Sequence, residues 1–216
     1  MEILDLLLTP TLETLYMVFL SGFFSITIGL IIGVSLVVFD TEGLNPKPKT
    51  YKVLSAVVNL SRSIPFIILM ILLFPLSRII VGTTIGTTAT IVPLSIGAAP
   101  MAGRIVESAL KEVDRGVIEA VKAMGASNKE IILKVLLPEA LPGLILGLTL
   151  MIVSLIGYSA MAGAIGGGGL GDLAIRFGLH RFQTDVLLYS VLIIVAFVQV
   201  IQESGNKLAN KILKTR

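Results

Sequence analysis

The sequence predicts an all-α membrane protein with five transmembrane helices. Of its 216 residues, 55% are hydrophobic and only 14% are charged, whereas soluble proteins contain about 25% charged residues. Runs without any charged residue cover positions 14–39, 79–103, 140–171 and 186–202. A spanning helix needs roughly 20 apolar residues, so these runs predict four spans. A fifth is expected between the first two runs, and a polar segment from Arg104 to Pro142 separates the third span from the fourth.

The chain begins with an acidic segment, residues 1–13, that contains Glu2 and Asp5. We expect this segment to lie at the membrane interface. It lacks the basic start of a secretory signal, so no cleaved leader is expected. The first span then runs from about Thr14 to Phe39, and its small residues, such as Gly29 and Gly33, allow neighbouring helices to approach closely.

The second span is expected from about Val53 to Phe74, with Pro65 interrupting its hydrogen-bond ladder. It carries Arg62 at membrane depth, where a charged side chain must face protein or water, or extend to the interface. Two interpretations stay open for Arg62: it lines a functional pathway, or it anchors the helix. The third span, from about Thr84 to Gly103, contains Pro93 and Pro100 and is expected to be a kinked helix within a bundle.

Two short helices joined by a tight turn are predicted between Glu119 and Pro138. Gly125 suits the left-handed residue that ends the first helix, because it has no Cβ to clash at positive φ. Ser127 then suits the N-cap of the second helix, with Glu130 three residues later completing a capping box. Pro138, together with Pro142, is expected to end the second helix.

This stretch resembles the EAA loop of bacterial ABC-importer permeases, which reads Glu-Ala-Ala, three residues, Gly, nine residues, then Ile-x-Leu-Pro. The matching residues here are Glu119-Ala120-Val121, Gly125 and Val135-Leu136-Leu137-Pro138, with Val121 and Val135 as mild departures. The resemblance implies a type I ABC importer fold, in which this cytoplasmic loop, residues 104–139, couples to a separate ATPase. The residues to which it assigns that coupling are Glu119, Ala120, Gly125, Ala126, Ser127, Leu137 and Pro138.

The fourth span is expected from about Leu141 to Met161 and the fifth from Val186 to Gln202, followed by a basic tail at 203–216. Between the spans, Gly166–Gly171 reads GGGGLG, which formally fits the dinucleotide-binding pattern G-x-G-x-x-G. It follows an apolar helix instead of a strand, so nucleotide binding is not expected. We predict a flexible loop or re-entrant segment on the outer side, with its backbone buried in protein or facing water.

The distribution of positive charge predicts the orientation. Thirteen of the 17 Lys and Arg residues fall in the first loop, the polar segment and the tail, whereas Arg78, Arg176 and Arg181 fall on the other side. Cytoplasmic loops carry the excess of Lys and Arg. The amino terminus is therefore expected outside the cell and the carboxyl terminus in the cytoplasm.

Two further stretches narrow the resemblance: residues 157–171, GYSAMAGAIGGGGLG, and residues 62–69, RSIPFIIL. Both look like the membrane subunit of methionine-type ABC importers, and the similarity extends over about residues 10–210. In that subfamily the Tyr and Met of the first stretch lie near the translocation pathway, which implies Tyr158 and Met161 here. We add Ser159 and Arg62 as pathway candidates. Ordinary packing at a helix end is the alternative for Tyr158 and Met161.

The resemblance implies a single permease domain, residues 1–216, in the bacterial inner membrane, surrounded by lipid. It also implies a homodimer with two cytoplasmic ATPase subunits, an extracytoplasmic binding protein and a small amino acid, methionine, as substrate; no nucleic-acid partner is expected. The chain has no Gly-x-x-x-x-Gly-Lys-Ser/Thr phosphate loop and no cysteine. ATP and Mg²⁺ would therefore be bound by the partner ATPase, and we expect no cofactor, metal or catalysis in this chain.

Three alternatives remain at this stage. The substrate could be another small amino acid or solute, or the chain could be a membrane scaffold that transports nothing. The third is an intramembrane serine hydrolase that uses Ser159 and the only histidine, His180. A nucleophile needs a base within hydrogen-bond reach. His180 lies in a polar loop, and Met161 stands where a nucleophile elbow has Gly, so hydrolysis is not favoured.

Overall fold

The computed structural model describes residues 3–214, with the side chains of residues 6–214. Glu2 of the acidic start and Arg216 of the basic tail lie outside the described residues. The helices are α1 Ile3–Phe39, α2 Pro48–Ser63, α3 Phe66–Val81, α4 Thr87–Lys111, α5 Arg115–Ala123, α6 Asn128–Glu130, α7 Leu137–Gly163, α8 Gly169–Leu173 and α9 Thr184–Lys214. Two π-helical segments, Ile131–Leu136 and Ala174–Leu179, follow α6 and α8.

The five-span architecture is confirmed. Among the described residues, four helices are long and apolar enough to cross a membrane, and α2 with α3 forms a bent pair that counts as the fifth span. One of these four spans is the continuous stretch Asn128–Gly163, made of α6, the first π segment and α7.

Residues 3–13 are not separated from the first span, because α1 begins at Ile3 and continues without a break to Phe39. The charge that suggested a boundary, Glu13, lies within the helix. Its carboxylate accepts the backbone N–H of Gly169 at 2.7 Å. A charged side chain can remain within an apolar helix when a donor from another element satisfies it.

The second span is broken more sharply than one helix from Val53 to Phe74. Helices α2 and α3 meet at 108°. Between them, Ile64 and Pro65 have extended backbone with ψ of 126° and 131°. The interruption at Pro65 is therefore confirmed, and the single helix is wrong. Proline disfavours helical geometry in the preceding residue as well, which makes Ile64 part of the break.

Three predicted helix ends are also wrong. Helix α4 does not end near Gly103 but continues to Lys111, and α9 extends beyond Gln202 to Lys214, so the described part of the tail is helical. The third error concerns the stretch Asn128–Gly163, which continues as a helix through Pro138 and Pro142 instead of ending there. Just before Pro138 it widens into the π segment, where Leu137 donates to the carbonyl of Ile132, five residues back. Local π adjustments of this kind accommodate proline within a helix.

The core forms where α1 crosses α4. A Cβ on Gly29 would lie 2.3 Å from the Cβ of Ala102, and one on Gly33 would lie 2.4 Å from the Cβ of Val106. The close approach predicted from these glycines is therefore confirmed. Helix α7 completes this core. The largest fully buried side chains of the core are Met17, Leu94, Met151, Leu155 and Ile156.

Candidate functional site

The turn between α5 and α6 has the predicted geometry at Gly125. Asp114 is the N-cap of α5, and its carboxylate accepts the Gly116 N–H at 2.6 Å. After Ala123 the chain reverses at Gly125, where φ is +84°. The Gly125 N–H donates to the Lys122 carbonyl and the Ala126 N–H to the Val121 carbonyl. The glycine thus satisfies carbonyls at the end of α5 in the left-handed conformation expected from the sequence.

The predicted capping box opens the next helix. The Ser127 hydroxyl oxygen accepts the Glu130 N–H at 3.3 Å, and the Ser127 N–H donates to the Glu130 carboxylate at 3.1 Å. Lys134 reaches the same carboxylate at 3.0 Å. The two contacts between Ser127 and Glu130 lie within one helical turn, which is why the sequence pattern was sufficient to predict them.

The predicted coupling residues differ in exposure. Glu119, Ala120, Gly125, Ser127 and Pro138 are exposed, and Ala126 and Leu137 are half-buried. Glu119 also lines a cavity of about 310 Å³ between α5 and the loop after α1.

An apolar stripe on α5 was missed by the sequence analysis. Met124, at the apex of the turn, is 77% exposed, and Val117 is also exposed. With Ala120 between them, they follow helical spacing and lie on one face. We call Val117, Ala120 and Met124 the tip face. In the sequence, Val117 and Met124 lie among other apolar residues such as Ile118 and Val121, so the pattern did not show which of them would be exposed.

Buried apolar contacts hold the turn against the bundle. Ile118 and Val121 of α5 pack on a cluster that contains Val106 and Leu110 of α4 and Ile131 and Leu136 of the π segment. Because this cluster joins α5 to α4 and to the stretch Asn128–Gly163, the tip face is attached to two spans.

Polar contacts also connect the loop after α1 to the two short helices α5 and α6. Asn128 donates from Nδ2 to the Leu44 carbonyl at 3.2 Å, and Arg115 pairs with Glu42. Lys111 donates to Asp40 at 2.6 Å, and this hydrogen bond lowers the pKa of the Asp40 carboxyl below its usual value.

A buried carboxylate lies at the same end of α4. Glu107 is only 5% exposed. It accepts hydrogen bonds from Arg104 at 2.5 Å, Lys111 at 2.9 Å and the Tyr51 hydroxyl at 3.2 Å. Arg104 also donates to the hydroxyl of Ser55 in α2 at 2.6 Å. This network connects α2 to α4. It also neutralises Arg104, Glu107 and Lys111, which the sequence had placed beyond the end of the third span.

A second candidate site is a cavity of about 840 Å³ at the bend between α2 and α3. Its lining residues come from α2, α3, α4 and α7 and from the break between α2 and α3: Ser61, Arg62, Ser63, Ile64, Pro65, Phe66, Ile67, Leu69, Gly97, Met101, Tyr158 and Met161. Three of the four predicted pathway residues, Arg62, Tyr158 and Met161, therefore share one cavity. Its volume lies in the range of small-molecule sites, about 300–1,000 Å³.

The cavity wall is mostly apolar. The Tyr158 ring stacks on that of Phe66, with 4.2 Å between centroids and 13° between planes. Met161, one turn further along α7, is 50% exposed. Ser159 is not part of the wall: it is 2% exposed, and its hydroxyl donates to the Ile156 carbonyl at 2.8 Å. His180 is exposed. The structure therefore gives no support for a nucleophile and base formed by Ser159 and His180.

The Gly-rich segment is packed against α1 and α7 instead of forming the flexible loop expected from the sequence. Gly171 is buried, and a Cβ there would lie 2.3 Å from the Ala160 carbonyl oxygen. Besides the bond from Gly169 to Glu13, the Leu170 N–H donates to the Thr14 hydroxyl oxygen at 2.9 Å. The expectation that its backbone would be buried in protein or face water holds for Gly169 and Gly171, which are buried.

Comparison with known proteins gives consistent matches. Residues 25–202 match the family model for the binding-protein-dependent transport system inner membrane component. The probable D-methionine transport system permease protein MetI of Vibrio cholerae is 49% identical over 208 residues, which are 96% of this chain and 92% of the relative. D-methionine transport system permease protein MetI of Escherichia coli K12 is 52% identical over 158 residues, 73% of either chain.

Solved structures give the same result. A structure of the MetNI methionine ABC transporter in inward-facing conformations matches with a TM-score of 0.95 and 46% identity over 97% of each chain. An amino acid ABC transporter structure matches with a TM-score of 0.71 and 20% identity over 97% of this chain and 93% of that one, which shows a shared fold.

Proposed function

This chain belongs to the family of binding-protein-dependent transport system inner membrane components, and we propose that it forms the translocation pathway for methionine. It is a transport permease with the type I ABC importer fold and is not the catalytic subunit of its transporter. The observation that carries the substrate proposal is the cavity shared by Tyr158, Met161 and Arg62. The relatives named as D-methionine permeases support the same substrate.

The chemistry of the cavity suits an amino acid with a flexible apolar side chain. The Met161 thioether is polarizable and adapts to irregular shapes. The stacked pair of Phe66 and Tyr158 supplies a flat apolar surface, and the Tyr158 hydroxyl adds a polar group.

We propose that two copies of the chain pair in the inner membrane, with two cytoplasmic ATPase subunits and an extracytoplasmic binding protein. ATP and Mg²⁺ are bound by the ATPase in this arrangement. The tip face, Val117, Ala120 and Met124, enters a groove of the ATPase together with the exposed coupling residues Glu119, Gly125 and Ser127. Apolar side chains exposed in a polar segment are typical of an interaction surface. The positive charge of the loops supports a cytoplasmic position for this face and an outer position for the amino terminus.

The coupling turn and the cavity are connected by one continuous helical stretch. It begins at Asn128, next to the capping box, and reaches the cavity at Tyr158 and Met161 before it ends at Gly163. At 1.5 Å per residue, about 50 Å separate its first residue from Met161 along the axis. When the ATPase subunits close on ATP, displacement of the turn is transmitted along this helix and changes the shape of the cavity. Access then alternates between the two sides of the membrane.

Reconstitution tests the proposal. The permease, its ATPase and its binding protein are incorporated in proteoliposomes, and ATP-dependent uptake of labelled methionine is measured with leucine, alanine and glutamate as competitors. We expect ATP-dependent uptake of labelled methionine, and we expect unlabelled methionine to inhibit this uptake more strongly than leucine, alanine or glutamate does. Uptake of another solute with no uptake of methionine would overturn the substrate, and no ATP-dependent uptake of any solute would overturn the permease mechanism.

A further inference from the structure

We infer that Arg62 binds the carboxylate of the transported amino acid, so that the cavity selects substrates with a free carboxyl group. The inference rests on the proposed function of the cavity as the amino-acid pathway. Its structural basis is the environment of the Arg62 guanidinium.

Arg62 is the only charged residue among the described residues that line the cavity. It is exposed, and no carboxylate within the described part of the chain forms a salt bridge with it. Arg104 and Lys111 of α4, by contrast, both have Glu107 as a carboxylate partner. A guanidinium beside apolar walls without a counter-ion favours binding of an anion, because arginine pairs with carboxylates through two parallel hydrogen bonds.

The local backbone keeps this cation available. Arg62 lies in the last turn of α2, where the negative end of the helix dipole stabilises a positive charge without a side-chain partner. The serines on either side are engaged with their own helix: Ser61 donates to the Val57 carbonyl and Ser63 to the Asn59 carbonyl, each at 2.9 Å. Pro65 has no N–H and the chain turns through 108° here, so the end of α2 opens onto the cavity instead of continuing as a helix.

The remaining lining residues recognise the other end of the substrate. Met161, Phe66 and Tyr158 form the apolar part of the same cavity. An amino acid with its carboxylate on Arg62 can then place an apolar side chain against these residues. An apolar solute without a carboxyl group would leave the guanidinium unpaired, and a neutral amide would lose the charge-assisted hydrogen bonds.

The test compares methionine with methioninamide in proteoliposomes that carry the wild-type protein, Arg62→Gln or Arg62→Lys. The binding protein has its own preference between the two compounds, which contributes the same factor to the ratio in every variant. The change in the methionine-to-methioninamide ratio of kcat/KM between variants therefore reports on Arg62. We expect Arg62→Gln to lower that ratio about tenfold, as expected for loss of a hydrogen bond to a charged group, and Arg62→Lys to lower it by about threefold or less.

Arg78→Gln is the matched control. Arg78 also lies in the last turn of its helix and is exposed, but it does not line the cavity. We expect this control to leave the ratio unchanged, and co-purification of the ATPase serves as the assembly check for all variants. A ratio in Arg62→Gln equal to that of the wild type, with methionine still transported, would overturn the role of Arg62 and leave the proposed function intact. A wild-type protein that transports no methionine would overturn the proposed function itself.

Discussion

The phenyl ring of Phe66 lies parallel to the phenol ring of Tyr158, with 4.2 Å between their centroids. Phe66 is the first residue of α3 and Tyr158 lies near the end of α7. The stack therefore connects the bend of the broken span to the helical stretch that follows the turn at Gly125. It places an aromatic wall in the cavity between the two.

Replacing Phe66 with Ala removes this wall. Aromatic pairs contribute about 0.5–1.5 kcal/mol beyond the area that they bury. We expect Phe66→Ala to reduce kcat/KM for methionine relative to alanine about fivefold in competition uptake. Phe23→Ala is the control, because Phe23 also contacts an aromatic ring, that of Phe24, but does not line the cavity. Equal selectivity in the two variants would show that the stacked rings of Phe66 and Tyr158 do not contribute to substrate selection.

Shortening Met161 tests the other apolar group of the cavity. Loss of a half-exposed thioether side chain costs about 1 kcal/mol of discrimination in an apolar pocket, or roughly fivefold. We expect Met161→Ala to alter the relative uptake of methionine and smaller amino acids without loss of assembly. Leu150→Ala, an exposed α7 position away from the cavity, controls for shortening of an apolar side chain. Unchanged competition profiles for Met161→Ala would exclude Met161 from the pathway.

The proposed coupling role of the turn between α5 and α6 is tested at Gly125 through its backbone conformation. A Cβ there meets no other atom of this chain within 4 Å, so within the permease the effect of a substitution comes from the φ of +84°. A left-handed conformation costs an L-residue about 1–2 kcal/mol, and a β-branched one more. We expect Gly125→Val to reduce the amount of ATPase that co-purifies, and Gly125→Asn to retain most of it, because asparagine tolerates this conformation. ATPase recovered with the valine variant at the wild-type level would contradict the prediction.

Glu107 is expected to contribute to stability through its three donors. Glu107→Ala leaves Arg104 and Lys111 without this buried partner and should cost about 2–3 kcal/mol of unfolding free energy. The measurement is the thermal unfolding midpoint of the purified protein in detergent. Glu203→Ala is the control, since Glu203 pairs with Lys207 on an exposed helix surface, where such pairs contribute little. A midpoint for Glu107→Ala as high as that of this control would show that the network adds nothing.

The packed Gly-rich segment gives a steric prediction. A Cβ at Gly171 would lie 2.3 Å from the Ala160 carbonyl oxygen, so Gly171→Ala must displace backbone. We expect a loss of about 1–3 kcal/mol in unfolding free energy, the usual cost of overpacking. Gly157→Ala is the control, because a Cβ there meets nothing within 4 Å. Similar thermal midpoints for the two variants would show that the segment adapts without cost.

The sequence was most informative where an interaction lies within a few residues. The left-handed Gly125 and the capping box of Ser127 and Glu130 depend only on neighbours in the chain, and both were predicted correctly. Charge-free runs likewise identified four spans, because burial in lipid acts on composition as a whole. Helix ends were predicted less well, because charged residues and prolines were interpreted as the ends of helices that in fact continue past them.

Those errors have tertiary causes. Glu13 remains inside α1 because the Gly169 N–H, 156 residues away in sequence, pairs with it. Helix α4 continues past Arg104 because Glu107 and Ser55 satisfy that guanidinium. A sequence pattern contains no information on which distant donor or acceptor will be adjacent, so it cannot distinguish a charge that ends a helix from one that is neutralised within it.

By itself, the sequence determined the membrane class, the four charge-free spans and the local geometry of the turn at Gly125, because hydrophobic composition and backbone conformation depend on nearby residues. Only the tertiary structure decided that Arg62, Tyr158 and Met161 share one cavity and that Ser159 is excluded from it. The physical reason is that the cavity is lined by residues of α2, α3, α4 and α7, which are distant in sequence and meet only in the folded bundle. The burial of Ser159 likewise depends on the helices packed around α7.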